Sequence, residues 1–299
     1  MEFKPKQEVY RSYNREVLHG SGGAGKSTGA GTISRKPLVI DFDNRWPSEL
    51  VEKADFPRFD GTFAGVVALL KDILATEKLS NDRIVIDTVT KLLSRIEEHA
   101  LAFDCGGNKE KYNAYSFGVK FLRQHFQEVL ELVDRIQAKH KITVTFICHT
   151  KNKDQRNIDS EVYQKSCLDL PEGISELLKQ WADYIGFIWF DVTVDASRKK
   201  AIGDAVRAIS FSESPSYEAK NSSKYSIPTK IRYDRKGEWA EVVFGQTQAL
   251  LKELDTLIGK LPVVKQSVIV ERINKEGVRS FGVARLEEFI QAGKKAIGV

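Results

Sequence analysis

The sequence predicts an α/β protein in which a mostly parallel β-sheet is flanked by helices, followed by a small C-terminal helical module. Three observations predict this fold. Short apolar runs that end in an acidic residue alternate with segments whose apolar residues recur at helical spacing. A glycine-rich segment joins the first strand to the first helix, and only helical patterns follow Gly245. Alternating strands and helices favour a parallel sheet whose ligand lies at the carboxyl ends of the strands.

These patterns divide the 299 residues into three predicted parts. Residues 1–14 form a polar N-terminal arm, residues 15–245 the α/β core, and residues 246–299 the helical module. No run of about eighteen apolar residues is present, so no membrane partner is expected. The start of the chain lacks the apolar stretch of a secretion signal. The three cysteines have no metal-type spacing, which favours reduced thiols in the cytoplasm.

The first strand and helix enclose the strongest motif of the chain. Arg15 to His19 is typical of a strand, a helix can begin at Lys26, and Gly20-Ser-Gly-Gly-Ala-Gly-Lys-Ser27 between them fits G-x-x-x-x-G-K-[ST]. Glycines let the backbone N–H groups converge on phosphate oxygens, and the helix directs its positive end to the same place. We therefore expect ATP and Mg²⁺ as cofactors. The predicted nucleotide-binding residues are Gly20, Ser21, Gly22, Gly23, Ala24, Gly25, Lys26, Ser27 and Thr28.

Two further apolar runs end in aspartate. Arg83-Ile-Val-Ile-Asp87 is predicted to be a buried strand that delivers Asp87 to the nucleotide site, where Asp87 and Ser27 would hold the Mg²⁺. Pro37 to Phe42 is a second such strand, flanked at its end by Asp41 and Asp43. One of these two carboxylates is a candidate for orienting the attacking water. The alternative is that both simply solvate or cap the end of the strand.

A third predicted strand, Ile142 to Cys148, follows a long helix over Phe117 to His140. His149 comes directly after this strand and is a candidate sensor that donates a hydrogen bond to the γ-phosphate. A histidine at the end of a strand can equally have a structural role. The helix Ile174 to Trp181 and strands over Tyr184 to Val194 and Val206 to Ser212 complete the predicted core.

Two segments between these elements are predicted as long loops, Phe103 to Ser116 and Thr150 to Asp169. Both interleave cations with aromatic residues, a composition that suits single-stranded DNA because cations neutralise phosphates and rings stack on bases. The alternative is an ordinary solvated loop. The candidate DNA-binding residues are Lys109, Lys111, Tyr112, Tyr115, Lys151, Lys153 and Arg156. The last forty residues are also basic, and fit either a DNA or partner contact or a structural cap.

Gly20 to Ser27 is a phosphate-binding loop, or P-loop, and three motifs that follow it in order resemble the core of the RecA family. They are Pro37-Leu-Val-Ile-Asp-Phe-Asp43, Ile84-Val-Ile-Asp-Thr-Val-Thr90 and Phe146-Ile-Cys-His-Thr-Lys151. More narrowly, the chain resembles the phage-encoded RecA-like ATP-binding proteins counted among the Sak-type single-strand annealing recombinases. The late motif Ala219-Lys-Asn221 strengthens that resemblance. It extends over about residues 15 to 230 and implies a RecA-like P-loop NTPase core.

The resemblance also implies roles for individual residues. Asp87 matches the Walker B acid, Asp43 the catalytic glutamate, and His149 the γ-phosphate sensor. Lys220 matches a cation that reaches the phosphates bound by a neighbouring subunit. Two departures stand out: Asp43 is one methylene shorter than glutamate, and Ser222-Ser-Lys224 stands where related motifs often carry arginine. The first predicts slow hydrolysis, and the second argues against a finger role for Lys224.

The implied function is a DNA-dependent ATPase that binds single-stranded DNA and promotes annealing or strand pairing in phage-type recombination. A homo-oligomer with ATP at its interfaces is expected, and a single-strand DNA-binding protein is a candidate partner. Three alternatives stay open. The shortened Asp43 favours a non-hydrolysing, ATP-gated DNA-binding scaffold. The same core also serves helicase-type motors and small-molecule kinases, although no arginine-rich lid is evident here.

Overall fold

The computed structural model of the chain describes residues 13–114, 117–156, 161–195, 200–202, 206–222, 227–233 and 239–240, and single positions or short stretches between 243 and 294. The chain divides into two compact units. One unit is Asn14–Trp239, and the other combines Met1–Tyr13 with Ala240–Val299. The predicted division into arm, core and helical module stays a prediction, because most of residues 1–14 and 246–299 lie outside the described part.

Among the described residues, the unit Asn14–Trp239 contains a mixed sheet of nine strands and a separate two-stranded ribbon. The strands are β1 (Arg15–Gly20), β2 (Pro37–Asp41), β3 (Arg83–Asp87), β4 (Thr143–Gln155), β5 (Tyr163–Leu168), β6 (Tyr184–Phe190), β7 (Thr193–Asp195), β8 (Lys200–Ile202), β9 (Arg207–Ser210), β10 (Lys220–Asn221) and β11 (Ile231–Tyr233). The order across the sheet is β11-β9-β6-β1-β4-β3-β2, with β10 added to β6 and β5 to β4. The ribbon is β7 with β8.

Helices fill the connections between these strands. They are α1 (Lys26–Thr32), α2 (Phe63–Ala75), α3 (Val89–His99), α4 (Lys109–Asn113), α5 (Phe117–His140) and α6 (Glu172–Trp181). A 3₁₀-helix spans Ser48–Lys53, and a π-helix, Ala100–Asp104, continues α3. Threonines begin two of the helices: Thr62 accepts from the Gly65 N–H at 3.0 Å, and Thr88 accepts from the Lys91 N–H at 3.3 Å. None of the helices in the described residues is long and apolar enough to cross a membrane.

The central strands β6, β1, β4, β3 and β2 are parallel to one another, whereas β5, β9, β10 and β11 join the sheet antiparallel. The apolar runs seen in the sequence are buried because parallel strands are covered on both faces. Val17, Ile40, Ile84 and Phe146 are each fully or almost fully buried in one core with α2, α3, α5 and α6. The predicted α/β core, with its mostly parallel sheet and flanking helices, is confirmed.

A buried ion pair fixes three central strands relative to one another. The guanidinium of Arg83 on β3 donates to the carboxylate of Glu16 on β1, and Thr145 on β4 donates to the same carboxylate at 3.0 Å. Breaking a buried pair leaves an uncompensated charge and costs about 3–5 kcal/mol. This contact lies near the start of the three strands and specifies their register. The register in turn determines which residues meet at the carboxyl ends of the strands.

Both predicted long loops contain regular structure, and this corrects the sequence-based expectation. The stretch from Phe103 holds the end of the π-helix and α4, up to the undescribed positions 115–116. The second segment is a β-hairpin, since β4 continues through Gln155 and pairs with β5 from Thr150↔Leu168 to Gln155↔Tyr163. The hairpin extends beyond the sheet, so its side chains are mostly exposed and polar. Its sequence therefore lacks the apolar alternation by which a half-buried strand is recognised.

Candidate nucleotide-binding site

The sheet register brings the predicted nucleotide residues to one edge. Gly20 pairs with His149 across β1 and β4, and Asp41 pairs with Asp87 across β2 and β3. Asp87 in turn lies opposite Ile147, two residues before His149. Because these strands are parallel, their carboxyl ends meet at the same edge of the sheet, where an open α/β sheet binds its ligand.

The P-loop has the backbone shape that a phosphate cradle needs. Gly23 has a φ of 74° and Gly25 a φ of 101°, both in the left-handed region that favours glycine. Gly25 is the N-cap of α1, and no side chain caps the first turn of that helix. The N–H groups of the loop and the first turn therefore present positive partial charge toward the loop, as anion sites at helix N-termini do.

Lys26 is buried at the base of this loop. Its ammonium group donates to the carbonyls of Gly20 and Ser21 at 3.0 and 2.9 Å. Burial lowers the pKa of Lys26, while the nearby Asp87 and Cys148 act in the opposite direction. A buried ammonium ion held by neutral carbonyls gains from an anionic partner, which is the property required of a lysine that binds phosphate.

Ser27 and Asp87 form the metal-binding part of the site. The Ser27 hydroxyl donates to the Asp87 carboxylate at 2.5 Å. Burial raises the pKa of Asp87 to about 6; the Ser27 hydrogen bond opposes this shift, and the charges of Asp41 and Asp43 add to it. Oxygen ligands with excess negative charge, gathered around the buried carboxylate of Asp87, fit a hard divalent cation such as Mg²⁺. These residues therefore fit a bound Mg²⁺–nucleotide, which Ser27 and Asp87 would hold from the metal side.

The two aspartates after β2 have different surroundings. The Asp41 carboxylate accepts hydrogen bonds from the backbone N–H groups of Asp43 and Trp46, both at 3.0 Å, and so closes the turn after the strand. The Asp43 carboxylate lies 3.5 Å from the ammonium of Lys91 on α3, and its side chain is 28% exposed. Asp43 is thus the better placed of the two to act on a water, although that role stays a prediction.

His149 is half-buried beside the P-loop. Burial lowers the pKa of its imidazole, and the Lys26 ammonium contributes in the same direction. The ring is therefore neutral at neutral pH and has one N–H to donate. Its position next to Gly20 suits the predicted contact with a γ-phosphate, and the contact itself stays a prediction.

Three residues near the site were not singled out from the sequence. Lys91 follows Asp87 by four residues, so its place on the helix after the acidic strand was a usable signal. Tyr233 on β11 donates its phenol hydrogen to the Gly25 carbonyl, and Arg207 on β9 donates to the Gly23 carbonyl at 3.3 Å. Neither of these last two lies in a motif. Only the antiparallel pairing of β9 and β11 brings them to the loop.

Lys220 is the predicted catalytic residue that the fold places away from its own P-loop. Its ammonium donates to the carbonyls of Lys179 and Ala182 at 2.8 and 2.6 Å, at the C-terminal end of α6. Lys220 pairs with Ile185 on β6, whereas Gly20 is opposite Ile188. The two positions on β6 are three residues apart, so Lys220 and Gly20 are offset by about 10 Å along the strand direction. Its role toward a neighbouring subunit stays a prediction.

The candidate DNA-binding cations of the hairpin are exposed. Lys151 donates to the Leu170 carbonyl at 2.8 Å and lies 3.6 Å from the Asp169 carboxylate. Lys153 lies 3.7 Å from the carboxylate of Glu172. Exposed ion pairs of this kind contribute little, about 0–1 kcal/mol, so both cations can exchange their partners for phosphates. Arg156, at the end of the described part of the hairpin, is also exposed.

The second candidate DNA segment lies on α4. Lys109 is exposed, and the ammonium of Lys111 donates to the Asp104 carbonyl at 2.9 Å. Tyr112 is half-buried, and a Cβ at Gly118 would overlap its ring, so this ring packs against α5. Tyr112 therefore has a packing role whether or not it also stacks on a base. Tyr115 lies outside the described residues.

The P-loop, the carboxylate beside it and the parallel sheet define a P-loop NTPase. A family model described as an AAA domain matches residues 12–223, and the chain belongs to this family. The solved structures that are similar to this chain include two that share little sequence identity with it. The RadB recombinase has a TM-score of 0.41 and 12% identity over 75% of this chain and 89% of that one. The flagellar accessory protein FlaH from Methanocaldococcus jannaschii has a TM-score of 0.39 and 10% identity over 74% and 84%. No curated protein matches the sequence.

Proposed function

We propose that the chain is an ATP-binding, slowly hydrolysing RecA-like protein of the cytoplasm that binds single-stranded DNA and promotes annealing or strand pairing in phage-type recombination. The motifs that resemble the Sak-type recombinases support this reading. One structural observation carries it: β4 runs without a break from the nucleotide edge into the cationic hairpin. His149 lies beside Gly20, and Lys151 and Lys153 are two and four residues further along the same strand.

At the nucleotide site, the loop amides and Lys26 bind the phosphates while Ser27 and Asp87 hold Mg²⁺. The metal neutralises charge on the β- and γ-phosphates. Asp43 orients the attacking water, and its short side chain makes hydrolysis slow. His149 donates to the γ-phosphate, and this contact sets the position of the strand that becomes the hairpin. ATP binding therefore orders the hairpin, and hydrolysis releases it.

At the hairpin, Lys151, Lys153 and Arg156 neutralise DNA phosphates. Each phosphate neutralised on a single strand makes the slope of log K against log salt more negative by about 0.7. Affinity for DNA should therefore fall steeply with salt concentration, and less steeply once hairpin cations are removed. Because phosphates are the main contacts, little dependence on base sequence is expected.

The test is fluorescence anisotropy of a labelled single-stranded oligonucleotide in ATP and Mg²⁺ over a series of salt concentrations. Replacing Lys151 and Lys153 by alanine should weaken binding. It should also reduce the magnitude of the salt slope by about 1.4, which corresponds to two phosphates. The matched control replaces Lys71 and Lys78, two exposed lysines on and after α2, and removes the same charge. Equal affinities and slopes in the two double variants would contradict the proposal.

The proposed assembly is a homo-oligomer with ATP at its interfaces, where Lys220 leaves the carbonyls of α6 for the phosphates of the neighbouring subunit. Light scattering after size exclusion, with and without ATP–Mg²⁺ and single-stranded DNA, tests the assembly. A monomer under all of these conditions would remove this part of the proposal. A single-strand DNA-binding protein is proposed as a further partner.

A second candidate function is a non-hydrolysing scaffold in which ATP binding alone gates DNA binding. The ion pair between Asp43 and Lys91 favours it, because a carboxylate held by an ammonium group has to leave that partner before it can turn toward a water. Phosphate release by wild type no faster than that of a Lys26→Ala variant, with ATP still strengthening DNA binding by wild type, would favour the scaffold. ATP-dependent strand displacement on a forked duplex would instead favour a helicase-type motor.

A further inference from the structure

A second group of metal-ligating side chains lies outside the nucleotide site. It comprises His99 at the end of α3, Asp104 at the end of the π-helix and His125 on α5, with one ligand atom of each lying within 4.8 Å of the others. The Nε2 of His125 is 2.7 Å from Oδ2 of Asp104, and its Nδ1 is 3.8 Å from Oε2 of Glu128. Neither phosphate binding nor metal binding at the P-loop uses any of these residues.

The π-helix is the local structure that creates this group. In an α-helix, residues five apart point about 140° away from each other, so His99 and Asp104 would face different sides. Here the Cys105 N–H bonds to the Ala100 carbonyl at 3.0 Å, the i→i+5 bond of a π-helix. The wider turn brings Asp104 back over the face that carries His99, where α5 presents His125.

Aromatic rings hold the two imidazoles in place. Phe63 is buried, and its ring centroid is 5.1 Å from those of both His99 and His125. The ring of Phe103 lies 4.6 Å from that of His99 on the outer side. The side chains of His125 and Asp104 are only 13% and 27% exposed. The buried Phe63 ring limits water access from its side, and an apolar neighbour of this kind strengthens the attraction between a cation and its ligands.

We propose that His99, Asp104 and His125 bind a Zn²⁺ ion, with water in the fourth position. Two imidazoles and one carboxylate suit zinc, whereas Mg²⁺ prefers oxygen ligands alone. Ligand atoms of tetrahedral zinc lie about 3.3 Å apart, so small side-chain rotations close the present group. Coordination of the ion by His125 and Asp104 replaces the hydrogen bond between these two side chains. The imidazole proton then resides on Nδ1, which lies 3.8 Å from the Glu128 carboxylate.

Zinc at this place would join three elements at the base of the segment that carries α4. Asp104 lies only five residues before Lys109, and its carbonyl already accepts a hydrogen bond from Lys111. Fixing Asp104 therefore fixes the start of this segment. Zinc binding should accordingly raise the melting temperature of the wild-type chain, because a ligand that binds only the folded state stabilises it.

The experiment titrates Zn²⁺ into chelator-stripped full-length chain against a competing chromogenic chelator. The wild-type chain should bind about one Zn²⁺ with a rise in melting temperature, and His99→Phe and Asp104→Asn should each weaken binding by about 100-fold or more. His99→Phe keeps a ring against Phe63 and Phe103. As a control, His140→Gln on α5 preserves a donor for the Ile73 carbonyl and should bind zinc like wild type. Asp87→Asn should do the same, which separates this site from the P-loop.

Three results would overturn the proposal. One is the absence of zinc binding by the wild-type chain at tenfold molar excess. Another is unchanged affinity in both ligand variants, and the third is an equal loss in His140→Gln or Asp87→Asn. Asp104→Asn is nearly isosteric, so it decides the matter if His99→Phe fails to fold.

Discussion

The hydroxyl of Ser27 donates a 2.5 Å hydrogen bond to the carboxylate of Asp87, although the two residues are 60 positions apart in the sequence. Ser27 is in the first turn of α1, and Asp87 is the last residue of β3. Their contact aligns the P-loop with the acid that would hold the metal. It also joins two motifs that the sequence presents separately.

Replacing Asp87 by asparagine should separate metal binding from phosphate binding. The amide keeps the shape and can still accept from Ser27, but it removes the charge that Mg²⁺ requires. We expect affinity for ATP in the presence of Mg²⁺ to fall by about 10- to 100-fold, with affinity in excess chelator unchanged or improved. Calorimetric titration with and without Mg²⁺ measures both values. Equal Mg²⁺ dependence in the two proteins would exclude Asp87 as a metal ligand.

Asp43 and Asp41 should differ in the effect of the same substitution. Asp43→Asn removes the carboxylate proposed to orient the water and should slow ATP hydrolysis by about 10²- to 10⁴-fold with little change in stability. Asp41→Asn weakens the hydrogen bonds to the N–H groups of Asp43 and Trp46, and should lower the free energy of unfolding by about 1–3 kcal/mol. Phosphate release and urea unfolding of both variants test this contrast. The reverse pattern would assign the water to Asp41.

Much of this site was predictable because its signals are local. The glycines and Lys26 stand in one motif, and the acids end apolar runs whose burial in a parallel sheet follows from their composition. Parallel strands then bring those ends together without further information. The ligand edge could therefore be predicted before the register of Gly20 with His149 was known.

Tyr233 should limit the size of the residue at position 29. A Cβ on Gly29 would overlap the Tyr233 phenol oxygen, which hydrogen-bonds to the Gly25 carbonyl. We expect Gly29→Ala to weaken ATP binding by displacing Tyr233 and with it the loop. Tyr233→Phe should cost about 1 kcal/mol of stability. In the double variant, the missing oxygen should restore part of the lost ATP affinity. Additive effects in the double-mutant cycle would contradict this contact.

His19 should make stability depend on pH. The imidazole is completely buried on β1; its Nε2 donates to the Glu218 carbonyl at 2.7 Å and its Nδ1 accepts from Thr150 at 2.9 Å. Burial lowers its pKa from 6.5 to about 4. The unfolded chain therefore binds a proton between these values while the folded chain does not. The contribution of His19 to the free energy of unfolding is fully present above pH 6.5. It should fall by about 3 kcal/mol as the pH drops to 4.

Urea unfolding of wild type and His19→Gln at several pH values measures the pH-dependent stability that His19 contributes. The glutamine variant is less stable at neutral pH, but its stability should fall less between pH 6.5 and 4. Parallel pH profiles for the two proteins would show that His19 does not cause the dependence.

The features that sequence reasoning missed depend on long-range pairing or on a local irregularity. Tyr233 and Arg207 reach the P-loop only through the antiparallel strands β9 and β11, which have no motif. The hairpin that follows His149 is polar because it projects from the sheet, so it was predicted as a loop. The π-helix that brings Asp104 to His99 comes from a hydrogen-bond shift that apolar periodicity does not reveal.

The most direct test of the account measures the affinity of a single-stranded oligonucleotide for wild type and Lys26→Ala, each with Mg²⁺ and with or without ATP. The account predicts that ATP strengthens DNA binding by wild type, and that Lys26→Ala loses both ATP binding and this strengthening while it keeps the weak nucleotide-free affinity. Absence of DNA binding at low salt with and without ATP, or ATP affinity unchanged in Lys26→Ala, would contradict it.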